Sequence, residues 1–179
     1  MKIENQLLQP EDVDIEQTFS DMEIIRRYAM RIKSPSCFVE IGTMYGGSAL
    51  VARRATKIDV KVYSIDPSSD FSKWNGTQND YEIDFIKGYS LEVARNWKKP
   101  IGVLFIDGNH DQAQQDFGAW EKYIIKGGYV LFHDYAFHSP KVIQDCNFGM
   151  VSNEKFYRIL DKPASLKKSP FSIFQAKKL

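Results

Sequence analysis

Cysteine is scarce in this chain. Only Cys37 and Cys146 occur among 179 residues. They fit neither a zinc-ligand nor a dithiol spacing, and so few thiols point to a reducing compartment rather than a disulfide-stapled domain. Net charge is equally scarce: 24 basic against 23 acidic residues leave +1. That removes the overall electrostatic case for nucleic acid or an anionic membrane as a partner and leaves only a local patch to make one. No apolar run approaches the roughly 18 residues of a membrane span, and Met1-Lys2 leads into no apolar stretch of the kind a signal peptide needs. The cytoplasm is the expected location.

What is present is ordinary for a globular domain, with 43% hydrophobic and 26% charged residues. The length fits one domain over residues 1–179, with 1–19 as an arm or lead-in helix before an α/β core at 20–179. The most informative stretch is residues 38–48, Phe-Val-Glu-Ile-Gly-Thr-Met-Tyr-Gly-Gly-Ser. Its apolar start reads as a buried strand and residues 48–55 as a helix, leaving only a glycine turn between them. Strand, glycine turn and helix in that order open a nucleotide-binding α/β unit. Gly42 and Gly46 can take φ > 0 and let a ligand approach the backbone, where free N–H groups at the helix start face its polar end. Position 44 is Met, so this is not the dinucleotide fingerprint, and no Gly-Lys-Ser/Thr follows to make a P-loop. Glu40 stands at the strand's end, where a carboxylate can receive an ammonium or a hydroxyl. A ligand with an amino-acid end and a nucleoside end fits better than a pyrophosphate. The alternative is a plain strand-turn-helix with a solvated Glu40.

The rest of the chain continues the alternation. Ser20-x-x-Glu23 reads as a capping box for a helix over 21–33, with Met22, Ile25, Ala29 and Ile32 at helical spacing. Further strands are expected at 61–65, 83–86, 101–106 and 129–132. The run at 101–106 is apolar on both faces, as a central parallel strand would be. Helices are expected around Leu91, Ala94 and Trp97, and over Ala113, Phe117, Trp120 and Ile124 with Gly127-Gly128 as the stop. A helix follows Pro140, and residues 156–160 and 171–175 look like two closing strands. Asp66, 24 residues past Gly42, is placed to bind ribose hydroxyls or to start a turn before Pro67. The polar loop at 68–80 carries Phe71 and Trp74 and reads as a lid or as a loop pinned to the body. Strands alternating with helices, then a closing pair, indicate a doubly wound sheet with its ligand at the carboxyl ends of the strands.

With Glu40-Ile41-Gly42 through Ser48, Ile65-Asp66-Pro67, Gly88-Tyr89-Ser90, Ile106-Asp107-Gly108-x-His110 and His133-Asp134-Tyr135 in register, the chain resembles class I S-adenosylmethionine-dependent methyltransferases. Within them it is similar to the metal-dependent O-methyltransferases, of the catechol and the macrocin or sugar type. The resemblance implies an α/β, mostly parallel seven-stranded sheet with an antiparallel closing strand. It implies S-adenosylmethionine with its methionine end over residues 42–48, including Thr43, Gly46 and Ser48. The ribose would lie on Asp66, the adenine near Pro67 and between Tyr89 and Ser90. Glu40 would support the turn from below, with Tyr45 as a further lining residue and Asp107 close to the cofactor.

All three histidines, His110, His133 and His138, cluster late in the chain beside Asp107 and Asp134. Oxygen and imidazole groups at two adjacent strand ends could hold a divalent cation. In the relatives an ion, usually magnesium, binds there, and Asp107 and Asp134 match two of its carboxylates. His133 stands where a third oxygen ligand is expected, which would turn the preference toward manganese, iron or zinc, or leave the ion out. Such an ion would lower the pKa of an acceptor hydroxyl and aim its lone pair at the methyl carbon. His110 sits at the position of the catechol type's catalytic lysine, and imidazole titrates in the range a base near neutrality needs. It could instead be a ligand or brace the next helix. The expected activity is methyl transfer to a hydroxyl of a small molecule, by a chain that could pair as a homodimer. The alternatives are a metal-dependent hydrolase or lyase on this fold, and an inactive cofactor-binding subunit.

Overall fold

The apolar stretches pair as their composition requires. The computed structural model describes residues 19–69, 81–133, 156–158 and 173–179. β1 (Cys37–Ile41) and β4 (Ile101–Ile106) are buried along their whole length and lie side by side in parallel at the centre of the sheet. Around them run β2 (Val62–Asp66), β3 (Ile83–Lys87), β5 (Ile124–Phe132), β6 (Phe156–Arg158) and β7 (Phe174–Lys178), giving the order β3-β2-β1-β4-β5-β7-β6. β1 to β5 are parallel, and β7 pairs antiparallel with both β5 and β6. The expected doubly wound sheet with a reversed closing strand is therefore present, with seven strands.

Helices cover both faces. α1 (Phe19–Ala29) and α2 (Gly47–Ala55) pack their Ile25, Tyr28, Ala49 and Leu50 against Phe38, Val103, Phe105 and Leu131 on one face. α3 (Ser90–Asn96) and α4 (Ala113–Trp120) bring Ala94, Phe117 and Trp120 to Val39, Ile65, Leu104 and Phe132 on the other. Tyr63, Trp97 and Trp120 meet there edge to face at 4.9 and 5.2 Å, the arrangement that aromatic quadrupoles favour. Along β4 the alternation slips between Ile101 and Val103, where the pairing shifts register. Among the described residues no helix is long and apolar enough to cross a membrane.

Several boundaries differ from expectation, and α1 ends at Ala29 rather than at residue 33. α1 already contains Ser20, so no capping box forms, and Glu23 instead grips Arg26 at 2.7 and 2.8 Å. α4 stops at Trp120, and a 3₁₀ turn over Glu121–Tyr123 delivers Ile124 as the first residue of β5 rather than the last of a helix. Gly127-Gly128 is then not a helix stop. It lies inside β5, between the pairings Ile101↔Ile124 and Val103↔Tyr129, with Gly127 at φ 78°. The last strand starts at Phe174, three residues later than expected. The helix expected after Pro140 and the loop core at 70–80 lie outside the described residues.

Cys37 shows what the central strands do to a thiol. It is 2% exposed and donates to the Pro100 carbonyl at 3.2 Å, and burial pushes its pKa up to about 12. Thiolate is the reactive form, so iodoacetamide should leave Cys37 unmodified in the native protein and alkylate it only in denaturant, as peptide mass spectrometry would show. Native-state labelling of Cys37 at neutral pH would contradict this burial.

Candidate active site at the switch point of the sheet

The chain reverses its winding between β1 and β4, and open α/β sheets bind ligands at such a point. Backbone hydrogen bonds extend the ladder past the strand ends: Gly42 N to Ile65 O at 2.9 Å, Asp107 N to Ile41 O at 2.8 Å and His133 N to Ile106 O at 3.0 Å. They set Gly42, Asp107 and His133 in one row at the carboxyl edge. A cavity of about 680 Å³ opens above that row, within the range of small-molecule sites.

Of the candidate residues, Gly42, Thr43, Tyr45, Ser48, Asp66, Pro67, Tyr89, Ser90, Asp107, His110 and His133 line this cavity. Gly46 and Glu40 do not line it. Gly46 takes φ 79° as the residue before α2, and its N–H closes the turn onto Thr43 O at 2.7 Å. Glu40 is wholly buried under the turn, accepting from the hydroxyls of Ser48 and Ser64. Thr43 Oγ1 and Ser64 Oγ lie 2.6 Å apart, so the buried acid holds the turn through a string of hydroxyls. Desolvation pushes Glu40 up to about 8, against the opposing effect of the two serine hydrogen bonds.

Asp66 braces the turn from the neighbouring strand. Its Oδ2 accepts from the backbone N–H of Thr43 at 2.9 Å and Met44 at 3.3 Å, and its Oδ1 from Ser68 N–H at 2.6 Å. The Ser68 hydroxyl adds a long fourth contact to Oδ1 at 3.4 Å, so a ligand hydroxyl would take the place of that contact among the carboxylate's about four acceptor positions. Met44 sits at φ 46°, a conformation that costs a non-glycine residue energy and collects at functional turns.

At the other end of the cavity His133 lies between two acids. Its Nδ1 is 2.8 Å from Asp107 Oδ1 and its Nε2 is 3.7 Å from Asp21 Oδ2. Asp21 is completely buried in the first turn of α1. Among the described residues no group of three or more His, Cys, Asp or Glu is placed to hold a metal ion. Asp134 and His138 lie outside the described residues.

Two acids near the site were not singled out by the sequence: Asp21, and Asp116, which lines the cavity from α4. Both carried a readable signal. Asp21 shares a helical face with Ile25 and Tyr28, and Asp116 shares one with Ala113 and Trp120. An acid on the apolar face of a helix must be paired or functional.

Comparison with known proteins gives this geometry a family. A family model described as a methyltransferase domain matches residues 39–135. Uncharacterized protein R132 of Acanthamoeba polyphaga mimivirus is 32% identical across 69% of this chain, and the match spans 66% of that protein's length. Among solved structures, the O-methyltransferase TomG from Streptomyces achromogenes, in complex with SAM, shares the fold with a TM-score of 0.67 at 14% identity, over 93% of this chain and 82% of its own. The O-methyltransferase from Bacillus cereus in complex with SAH does so with a TM-score of 0.65 at 14% identity, over 93% and 82%.

Proposed function

The chain belongs to the methyltransferase-domain family, and on that premise we propose that it moves a methyl group from S-adenosylmethionine to a hydroxyl of a small molecule. The observation that carries the proposal is the crevice itself. The Gly42 turn abuts the Asp107 backbone, Asp66 stands at the end of the adjacent strand, and one cavity joins them to Tyr89 and Ser90. In this reading the methionine end lies over residues 42–48, where the start of α2 offers free N–H groups. The ribose hydroxyls meet Asp66, and the adenine passes Pro67 toward Tyr89 and Ser90. That orientation brings the sulfonium toward Asp107, and a cation beside acids in a partly dry cavity is held better than the neutral thioether left after transfer.

The acceptor oxygen attacks the methyl carbon as the carbon–sulfur bond breaks, and the bond's electron pair stays on sulfur. The hydroxyl proton goes to a base, for which His110 on the cavity wall is proposed. Asp107 could offer an oxygen to a divalent ion, which would supply a lowered hydroxyl pKa; the second carboxylate expected for such an ion, Asp134, lies outside the described residues. His133 fits less well, because each ring nitrogen faces a carboxylate and the ring would have to leave one of them to ligate.

Two measurements test the proposal. Calorimetric titration with S-adenosylhomocysteine should show uptake at one site. Incubation with methyl-labelled donor and a panel of small phenols and sugars should then move label to an oxygen, with chelator present or absent reporting on the ion. No heat with the thioether at millimolar concentration would overturn the cofactor assignment.

A further inference from the structure

One wall residue has no task in that mechanism. Asp116 is 2% exposed yet forms part of the cavity wall. Its neighbours fix its hydrogen bonding. The indole N–H of Trp120 donates to Ser90 Oγ at 2.8 Å. An indole can only donate, so Ser90 accepts there and its own proton is directed to the Asp116 carboxyl, with which it makes a hydrogen bond. The Ser90 hydroxyl is thereby used up within the protein. One Asp116 oxygen is satisfied, but Oδ1 is buried with no hydrogen-bond partner. A buried acceptor without a donor costs about 1–3 kcal/mol, and in a native fold it marks a place where an unseen donor belongs. The Trp120–Ser90–Asp116 string ties α4 to the start of α3, which sets the carboxyl at the Tyr89–Ser90 end of the cavity.

We propose that Asp116 recognises the purine of the cofactor, accepting an N–H of its exocyclic amino group at Oδ1. This rests on the cofactor assignment above, which puts the base at the Tyr89–Ser90 end. The amino group is the only hydrogen-bond donor the adenine ring offers once its N9 carries the ribose. A carboxyl's terminal torsion is soft, so Oδ1 can turn to an entering donor. Burial holds the Asp116 pKa above the usual carboxylate range, as it does for an acid short of donors, and a ligand N–H would relieve that. A 6-oxo purine presents a lone pair at that position and carries its ring N–H on N1 instead, so a carboxyl set against the 6-position would hold it less tightly.

The test compares S-adenosylhomocysteine with S-inosylhomocysteine, in which an oxo group replaces the amino group, by calorimetry on the full chain. The native protein should prefer the adenine compound by roughly ten- to a hundredfold, the range of a hydrogen bond to a charged group. Asp116→Asn, whose amide can donate to the oxo group, should shrink or reverse that preference, and Asp116→Ala should abolish it mainly by weakening the adenine compound. Equal affinities in the native protein overturn the proposal without any variant. Variants that weaken both ligands by the same factor also overturn it, because that is how a residue that merely holds Ser90 would behave. Uptake of neither ligand would remove the cofactor assignment and the inference with it.

Discussion

Gly42→Ala is expected to be the most damaging single-methyl substitution in this protein, destabilising it by about 3–5 kcal/mol and removing ligand uptake. A Cβ there would stand 2.3 Å from the Asp107 carbonyl oxygen, 2.6 Å from its carbon and 2.7 Å from Gly108 N. All three are backbone atoms, so no side chain can swing aside. The carbonyl cannot retreat either, because Asp107 N–H is bonded to Ile41 O at 2.8 Å, and opening the contact would part β1 from β4. A second penalty adds to the first, since Gly42 takes φ +91°, which alanine adopts only under strain. Two other glycines calibrate the result. A Cβ at Gly108 would first meet the Ile41 side chain, at 3.3 Å, and should cost under about 1.5 kcal/mol. At Gly118 in α4 it meets nothing within 4 Å, and helix propensity there should stabilise by about 0.5–1 kcal/mol. Denaturant midpoints at constant slope measure all three. A Gly42→Ala protein as stable as the Gly108→Ala one would mean that the turn does not abut β4 as described.

The same contact shows why parts of the fold were legible in the sequence. Strands buried on both faces read as near-continuous apolar runs, so the ends of β4 at Ile101 and Ile106 are legible, and those of β1 nearly so. The turn was legible because only glycine suits both a left-handed φ and a backbone-to-backbone approach. The start of β5 was not, because Gly127-Gly128 is locally a good helix stop. Only pairing with β4 draws Ile124 into the sheet and turns the glycines into an irregularity within a strand. The start of β7 is not legible for a similar reason: it is set by the register Phe132↔Phe174, not by its own residues. In the candidate site, the motif residues at strand ends are legible because each follows a recognisable strand. Asp21 and Asp116 are not, because their partners His133 and Ser90 come from distant segments. An acid on an apolar helix face was the available sign.

Glu40 gives the second large effect, and it appears in the pH dependence of stability. Folded, its carboxyl keeps a proton up to about pH 8, whereas its ordinary value is 4.5. Between those values the native state binds a proton that the unfolded chain has released. Stability therefore falls as pH rises through that window, and levels off above it. Across the window the loss should be on the order of a few kcal/mol. Glu40→Gln keeps the shape and is neutral at every pH, and its amide can accept from one of Ser48 and Ser64 while donating to the other. The variant should match the native protein near pH 4.5, lose most of the slope, and be the more stable of the two at pH 8. Denaturant midpoints at pH 5, 6, 7 and 8 decide it, and parallel slopes for the two proteins would show that the acid is ionised in the fold throughout. The cavity sharpens the comparison, because Glu40 lies under the turn and not in the cavity wall. If it only holds Ser48 and Ser64, Glu40→Gln should take up S-adenosylhomocysteine nearly as well as the native protein at pH 7. A severe loss of uptake with stability intact would instead mean that the carboxyl acts on the ligand and not only on the turn.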